Sequence, residues 1–233
     1  MTSKLCLLVV AVAWALSTSR TTALAQASNN NNKNPKAVVS TDVPPLLDVP
    51  TYSLATRNSD GSTNMNILTY ATPVSVRPDR IWSLGLFKGT QSHENFCRDG
   101  TTGTSTCILQ LLTDDHIPVV KLLGGSSGKD VNKQEECSLL GLKWESLSQD
   151  ETTLQSSPLM VLPRCAYYIE LQLVGDIMDC GSHDMALCRV LKMHVVAEKD
   201  DGEGGPNGNN DYLSTAKLRE LGIITAQGRV AED

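Results

Sequence analysis

From residue 89 the chain reads Gly-Thr-Gln-Ser-His-Glu-Asn, directly behind the apolar run 81–88. Gly89 lets the backbone approach a ligand closely. Thr90 and Ser92 offer hydroxyl donors at the point where a helix would begin, and the unpaired N–H groups and positive dipole end of a helix start suit a phosphate. The same residues also suit a plain capped turn. Upstream, Asn66, Thr69, Thr72 and Ser75 interrupt an otherwise apolar strand pattern over residues 64–75. A ring-shaped ligand against such a strand would meet backbone groups and short polar side chains, whereas the structural alternative is an ordinary β surface. Thr69 and Thr72 cannot share a face of a straight strand, so Pro73 is expected to mark a bend. A third group, Gly124-Gly125-Ser126-Ser127-Gly128-Lys129-Asp130, reads as a flexible hinge or as a second anion nest beside Lys129. It is not a phosphate-binding P-loop, because Asp130 stands where that motif needs a hydroxyl.

His183 sits in the turn Gly181-Ser182-His183-Asp184, and His93, His116 and His194 show no partner along the chain. Neither a G-x-S-x-G nucleophile elbow nor a recognisable cysteine nucleophile is present. The cysteine spacings match no zinc pattern, so no metal site is expected.

These groups need a scaffold of short strands. Residues 51–57 and 62–70 read as strands joined by Asn58-Ser59-Asp60-Gly61, a hairpin turn whose Asn and Gly tolerate positive φ. Residues 81–88 and 107–112 read as further strands, with a short helix between them capped by Ser92 and carrying Glu94 near its positive end. Residues 116–123 read as a helix with Pro118 in its first turn, and 131–140 as another. Residues 167–174 and 185–196 should form an antiparallel pair around the turn at 179–182. A last helix, 212–221, has Ser214 as a possible cap and Gly222 as its stop. Many strands with few helices favour a mainly antiparallel barrel with peripheral helices.

The chain has 233 residues, 40% of them hydrophobic, which is enough for one sizeable core. A formal charge of -6 and no dense Lys/Arg cluster argue against a nucleic-acid surface. Lys4 followed by the apolar run 5–16 and small residues at 23–27 reads as a secretory signal over 1–27. That run is too short for a stable membrane anchor, so the expected location is the secretory pathway or an organelle reached through it. Residues 28–48 read as a disordered polar leader, 49–199 as the folded domain, and 200–233 as an acidic Gly-rich loop and C-terminal helix. Removing the signal leaves six cysteines, which permit many disulfide pairings; Cys97 with Cys107 and Cys180 with Cys188 are two possibilities, and buried free thiols are the alternative.

In order and spacing, several segments resemble the flavin reductase-like family. They are Leu54-Ala55-Thr56-Arg57, Asn66-Ile67-Leu68-Thr69-Tyr70-Ala71, residues 82–95, Leu109-Gln110-Leu111-Leu112, residues 125–133, Gly181-Ser182-His183-Asp184, and 212–224 near the C-terminus. The resemblance implies an FMN-binding split β-barrel, FMN held noncovalently near a homodimer interface, and hydride transfer from NAD(P)H to the flavin. On the matching positions it implies that Asn66, Thr69, Tyr70 and Ala71 face the ring and ribityl chain. It implies that Lys88, Gly89, Thr90 and Ser92 surround the phosphate, with Asn95 in support. Ser127 and Lys133 would also approach the cofactor, and His183 would lie near flavin and nicotinamide. Such chemistry needs no acid–base dyad, because the flavin carries the electron change. A non-enzymatic FMN binder or electron carrier is the alternative.

Overall fold

A computed structural model describes residues 40, 45–100, 105–147, 158–195 and 212–231. The expected signal, most of the leader and the acidic loop 200–210 lie outside the described residues. Apart from Ser40, the described residues belong to one unit, Pro44–Asp233. Among the described residues no helix is long and apolar enough to cross a membrane.

The main sheet is antiparallel throughout. Its strands are β1 (Tyr52–Arg57), β2 (Thr63–Leu68), β3 (Ala71–Ser75), β4 (Ile81–Phe87), β5 (Thr106–Leu111), β8 (Tyr167–Leu173), β9 (Met178–Cys180) and β10 (His183–Val195). The order is β2-β1-β5-β8-β10-β4-β3, with β9 paired to β10. Short strands β6 (Glu145–Ser146) and β7 (Met160–Val161) form a separate pair. Consecutive strands β2 and β3 therefore occupy opposite ends of the main path, although only Thr69 and Tyr70 join them. Laid flat, those ends would be about 29 Å apart, and this link spans about 10 Å. The sheet must curl until its ends nearly meet. Tyr52 on β1 and Trp82 on β4 confirm the curl: four steps apart in the sheet, their rings touch edge to face at 6.2 Å.

Alternation along the strands sorts apolar residues into two cores. Tyr52, Leu54, Cys107, Leu109, Leu171, Leu84 and Leu86 point inside the curl. Ala55, Met65, Ile108 and Tyr168 point outward, under helices α2 (Ile117–Gly125), α3 (Lys133–Leu139) and α4 (Thr215–Glu220). Strands β1, β5 and β8 are covered on both faces, which is why they read as nearly continuous apolar runs.

The hairpin at 58–61 forms as expected: Asn58 N–H donates to Ser62 O at 2.8 Å and Gly61 takes φ +87°. Two sequence expectations change. The stretch 64–75 is not one strand bent at Pro73; it breaks at Thr69-Tyr70, and Pro73 sits on the edge strand β3 beside a bulge, where a missing N–H is tolerated. Gly85 permits that crossover, because its N–H donates to Tyr70 O at 2.7 Å and a Cβ there would meet Tyr70 Cβ at 3.0 Å. The second change concerns helix α1 (Gln91–Gly100), which is capped by Thr90 rather than Ser92: His93 N–H donates to Thr90 Oγ1 at 3.2 Å. Of the two alternatives the sequence leaves open for the cysteines, the described structure has free thiols. Cys180 is exposed at the tip of the β9–β10 hairpin, opposite His183, while Cys188 points into the inner core. Cys107 is buried there too, and burial and its neighbour Cys188 push its thiol pKa well up. Cys97 instead lies against His93.

Leu47 and Asp48 are tied to α4, through Leu47 O to Thr215 Oγ1 and Asp48 Oδ1 to Ala216 N–H. Ser214 caps α4 and Gly222 ends it at φ +68°, as the sequence indicates.

Candidate functional site

The curl leaves a cleft of about 730 Å³ between β2, the Thr69-Tyr70 crossover, the start of α1, the end of α2 and the C-terminal residues 227–230. Nine of the twelve residues singled out by sequence line it: Asn66, Thr69, Tyr70, Gly89, Thr90, Ser92, Ser127, Lys133 and His183. Ala71, Lys88 and Asn95 do not. Ala71 packs on the inner core. Asn95 is buried behind the helix, where its amide donates to Thr56 Oγ1 at 3.1 Å and Asn58 Oδ1 at 2.9 Å, fixing α1 to the first hairpin. Lys88 pairs with Asp179 at 2.8 Å and Asp184 at 3.1 Å.

At one end of the cleft, α1 presents its first turn. The N–H groups at a helix start lack intrahelical partners, and the helix dipole adds partial positive charge. Thr90 is committed to the cap, and its own proton goes to Phe87 O at 2.9 Å. Ser92 is different. Its buried oxygen accepts from Asn64 Nδ2 at 2.9 Å, so its proton remains to be donated. On the adjoining wall, Asn66 Oδ1 is buried without a hydrogen-bond partner. A buried amide oxygen left unanswered costs free energy that a ligand N–H or O–H would recover.

Lys133, on α3, is 6% exposed and donates to Met65 O at 2.9 Å and Leu123 O at 2.8 Å. Desolvation lowers its pKa to about 8. It joins β2 to the end of α2, between the large cleft and a smaller one of about 460 Å³ that shares Asn64, Gly128 and Lys133. Lys129, read from sequence as an anion attractor, instead pairs with Glu94 at 2.6 Å.

Close to the α1 start, where His183 is the register partner of Phe87, the His183 ring packs edge-on against Tyr70 at 5.1 Å and Phe87 at 5.2 Å. Burial, then the charge of Arg229, lowers its pKa. Arg229 lies 5.3 Å from the Phe87 ring centroid. The sequence reading missed Arg229 and Asn64. The turn residues Gln227-Gly228 could have marked the local hairpin bridge between Ile224 and Val230, but what lays that hairpin over the cleft is tertiary, Val230 against Gly124 and Gly125 and Arg229 over Phe87.

Of the histidines without an evident sequence partner, His116 is buried against Pro163 O at 2.9 Å and His194 pairs with Glu170 at 2.6 Å. His93 Nε2 lies 2.7 Å from Asp184 Oδ2 and 3.3 Å from Cys97 Sγ. His93 and Lys88 hold the Asp184 carboxyl below its usual pKa. An ionised Asp184 therefore accepts the Nε2 proton, leaving that nitrogen no lone pair to deprotonate Cys97, and burial pushes the thiol pKa up. The trio is not arranged as a hydrolytic triad.

A curled antiparallel sheet with a polar-ended cleft beside a helix start is the framework onto which the chain's relatives fall. A family model described as the flavin reductase like domain matches residues 45–211. The chain belongs to that family, and so to the flavin-related oxidoreductases. No curated protein matches it. Among solved structures, flavoredoxin from Methanosarcina acetivorans is 14% identical with a TM-score of 0.55, over 78% of this chain and 92% of that one. An FMN-binding protein from Thermus thermophilus with bound 1-cyclohex-2-enone is 14% identical with a TM-score of 0.50, over 84% and 86%. A putative oxidoreductase from Sinorhizobium meliloti 1021 is 14% identical with a TM-score of 0.51, over 72% of this chain and 47% of that one. The chain thus spans about half of that last protein and most of the other two. These likenesses establish the FMN-binding split β-barrel as the fold.

Proposed function

We propose that the cleft holds FMN and that the protein is an NAD(P)H-dependent flavin reductase. The observation that carries this reading is one cleft with an anion-seeking helix start at one end and the unanswered Asn66 Oδ1 on its wall. Its volume lies in the range of small-molecule sites. The first turn of α1 and the Ser92 hydroxyl hold the phosphate, with Thr90 keeping that turn in place. Asn66 accepts a hydrogen bond from the ring or ribityl chain, and Ser127 closes the adjoining wall. His183, Tyr70 and Phe87 form an aromatic floor where a nicotinamide would dock. Bound FMN supplies the hydride acceptor at N5 and passes electrons onward, so the protein's part is orientation and exclusion of water.

FMN titration of the mature protein, followed by steady-state NAD(P)H oxidation, tests this. Saturable binding with turnover above the free-flavin background is expected; no saturable binding removes the reading. One observation favours a second reading, a non-enzymatic FMN carrier: residues 227–230 line the His183 side of the same cleft, where a nicotinamide would have to enter. A yellow protein without turnover would select it.

Asn66→Leu is expected to weaken FMN about tenfold while leaving Tm unchanged or slightly higher, because it removes an orphaned acceptor together with its ligand bond. Parallel flavin titration and thermal melts check the split, and a loss of Tm without loss of affinity would refute the assignment.

The exposed apolar residues Val74, Val76, Leu191 and Met193, on and beside β3 and β10, support a homodimer. Light scattering at micromolar concentration should return twice the chain mass, and a monomer mass would exclude a stable dimer. The apolar run 5–16 supports entry to the secretory route; a native N-terminus at Met1 would contradict it.

A further inference from the structure

We propose that His93, Cys97 and Asp184 form a site for a divalent transition metal of the zinc class, on the side of the α1 start away from His183. The inference does not depend on FMN binding. His93 and Cys97 stand four residues apart on α1 and so share one face. Asp184 reaches them from β10, where it points opposite to its neighbour His183. One ligand atom from each residue lies within 4.8 Å of the others.

Binding displaces the Nε2 proton of His93, whose ring then keeps its proton on Nδ1, and the Cys97 thiol proton, both released to solvent. The resulting donor set is imidazole nitrogen, thiolate sulfur and carboxylate oxygen, a combination that suits zinc and cobalt and not the all-oxygen preferences of magnesium or calcium. Metal–ligand bonds of about 2.0–2.3 Å in a tetrahedron hold donor atoms roughly 3.3–3.7 Å apart. His93 Nε2 to Cys97 Sγ is already 3.3 Å, and His93 Nε2 to Asp184 Oδ2, at 2.7 Å, need open by less than 1 Å, about one small rotamer adjustment. The His93 and Asp184 side chains are 16% and 15% exposed. That is enough shelter to hold an ion and enough access to admit it with a water as fourth ligand. A supporting shell is also present: Lys88 Nζ binds Asp184 Oδ1 at 3.1 Å, which orients the carboxylate and leaves Oδ2 for the metal. Lys88 is itself held by Asp179. Asp184 and Asp179 set two carboxylates against the one ammonium of Lys88, and the thiolate forms as the metal displaces its proton, so the cluster suits a cation. An occupied site would tie the first turn of α1 to β10, two elements that border the flavin cleft.

Cobalt(II) titration of the chelator-treated full chain tests the site. The expected result is one equivalent bound, with a thiolate-to-cobalt charge-transfer band that zinc displaces. Cys97→Ser should abolish the band, Asp184→Asn should weaken binding at least tenfold, and Cys180→Ser, at the exposed thiol, should change neither. A zinc-induced rise in Tm should be present in the wild type and absent in His93→Gln, which keeps the test valid if one variant folds poorly. Absence of the band in the wild type, its persistence in Cys97→Ser, or its loss in Cys180→Ser would each overturn the proposal.

Discussion

Between about pH 8 and pH 10.5 the wild-type protein is expected to gain about 3 kcal/mol of stability relative to Lys133→Met. Lys133 is 6% exposed, and desolvation lowers its pKa from 10.5 to about 8. In that interval the unfolded chain still binds the lysine proton while the folded chain has released it. Stability rises with pH wherever the unfolded state binds more protons, so the contribution of Lys133 is absent below the folded pKa and complete above the unfolded one. The buried thiols Cys107 and Cys165, whose pKa values are raised by burial, act in the opposite sense: they stay protonated in the fold while ionising in the unfolded chain. Their effect is common to both proteins and cancels in the difference. Urea unfolding of the pair at several pH values measures it. Parallel pH profiles would mean that the ammonium is solvated and that the bonds to Met65 O and Leu123 O do not define its environment.

Gly128→Ala is expected to lower stability by about 1–3 kcal/mol, as overpacking of a well-filled site does, and to weaken FMN binding by tenfold or more. The backbone at Gly128 does not require glycine for its φ, so the effect is steric: an added Cβ would overlap Asn64 Oδ1. Asn64 is 4% exposed and its amide nitrogen holds Ser92 Oγ. It cannot yield without releasing the serine that faces the cleft or swinging its amide into the cleft. Thermal melts and flavin titration read the two effects separately. Wild-type values for both would show that Asn64 moves freely and that its bond to Ser92 has no bearing on the site. In an Asn64→Ala background Gly128→Ala should cost less than it does in the wild type, so the double variant is sub-additive, since the two residues touch.

Much of the scaffold was legible in the sequence because its signals are short-range. The hairpin at Asn58-Ser59-Asp60-Gly61, the strand 81–87, the helix start beside Gly89 and the Ser214 and Gly222 limits of the last helix follow from turn chemistry, apolar runs and caps. Errors arose where a local pattern had two solutions. The polar-studded stretch 64–75 scans as one bent strand, yet its halves belong to opposite ends of the sheet. Ser92 and Thr90 are equally good caps on paper, and the pairing of Asn64 with Ser92 across β2 and α1 leaves the cap to Thr90. The resemblance of ordered motifs to flavin reductase-like proteins identified the family, while the residues that shape the cleft from a distance, Asn64 and Arg229, carried no local mark.

Residue order alone determined which segments pair locally, which face of each strand is apolar, and that a hydroxyl-bearing helix start would be available to an anion, since each depends on neighbours a few residues apart. The tertiary structure decided what those groups meet. Closing the sheet through the two-residue link at Thr69-Tyr70 brings β2 beside α1, Val230 against Gly124 and Gly125 lays the C-terminal turn over the cleft, packing of α3 sets Lys133 on two carbonyls, and pairing of β4 with β10 gathers His93, Cys97 and Asp184. Such meetings depend on strand register and curvature, which arise from packing both faces of the sheet at once and leave no periodic trace in the chain.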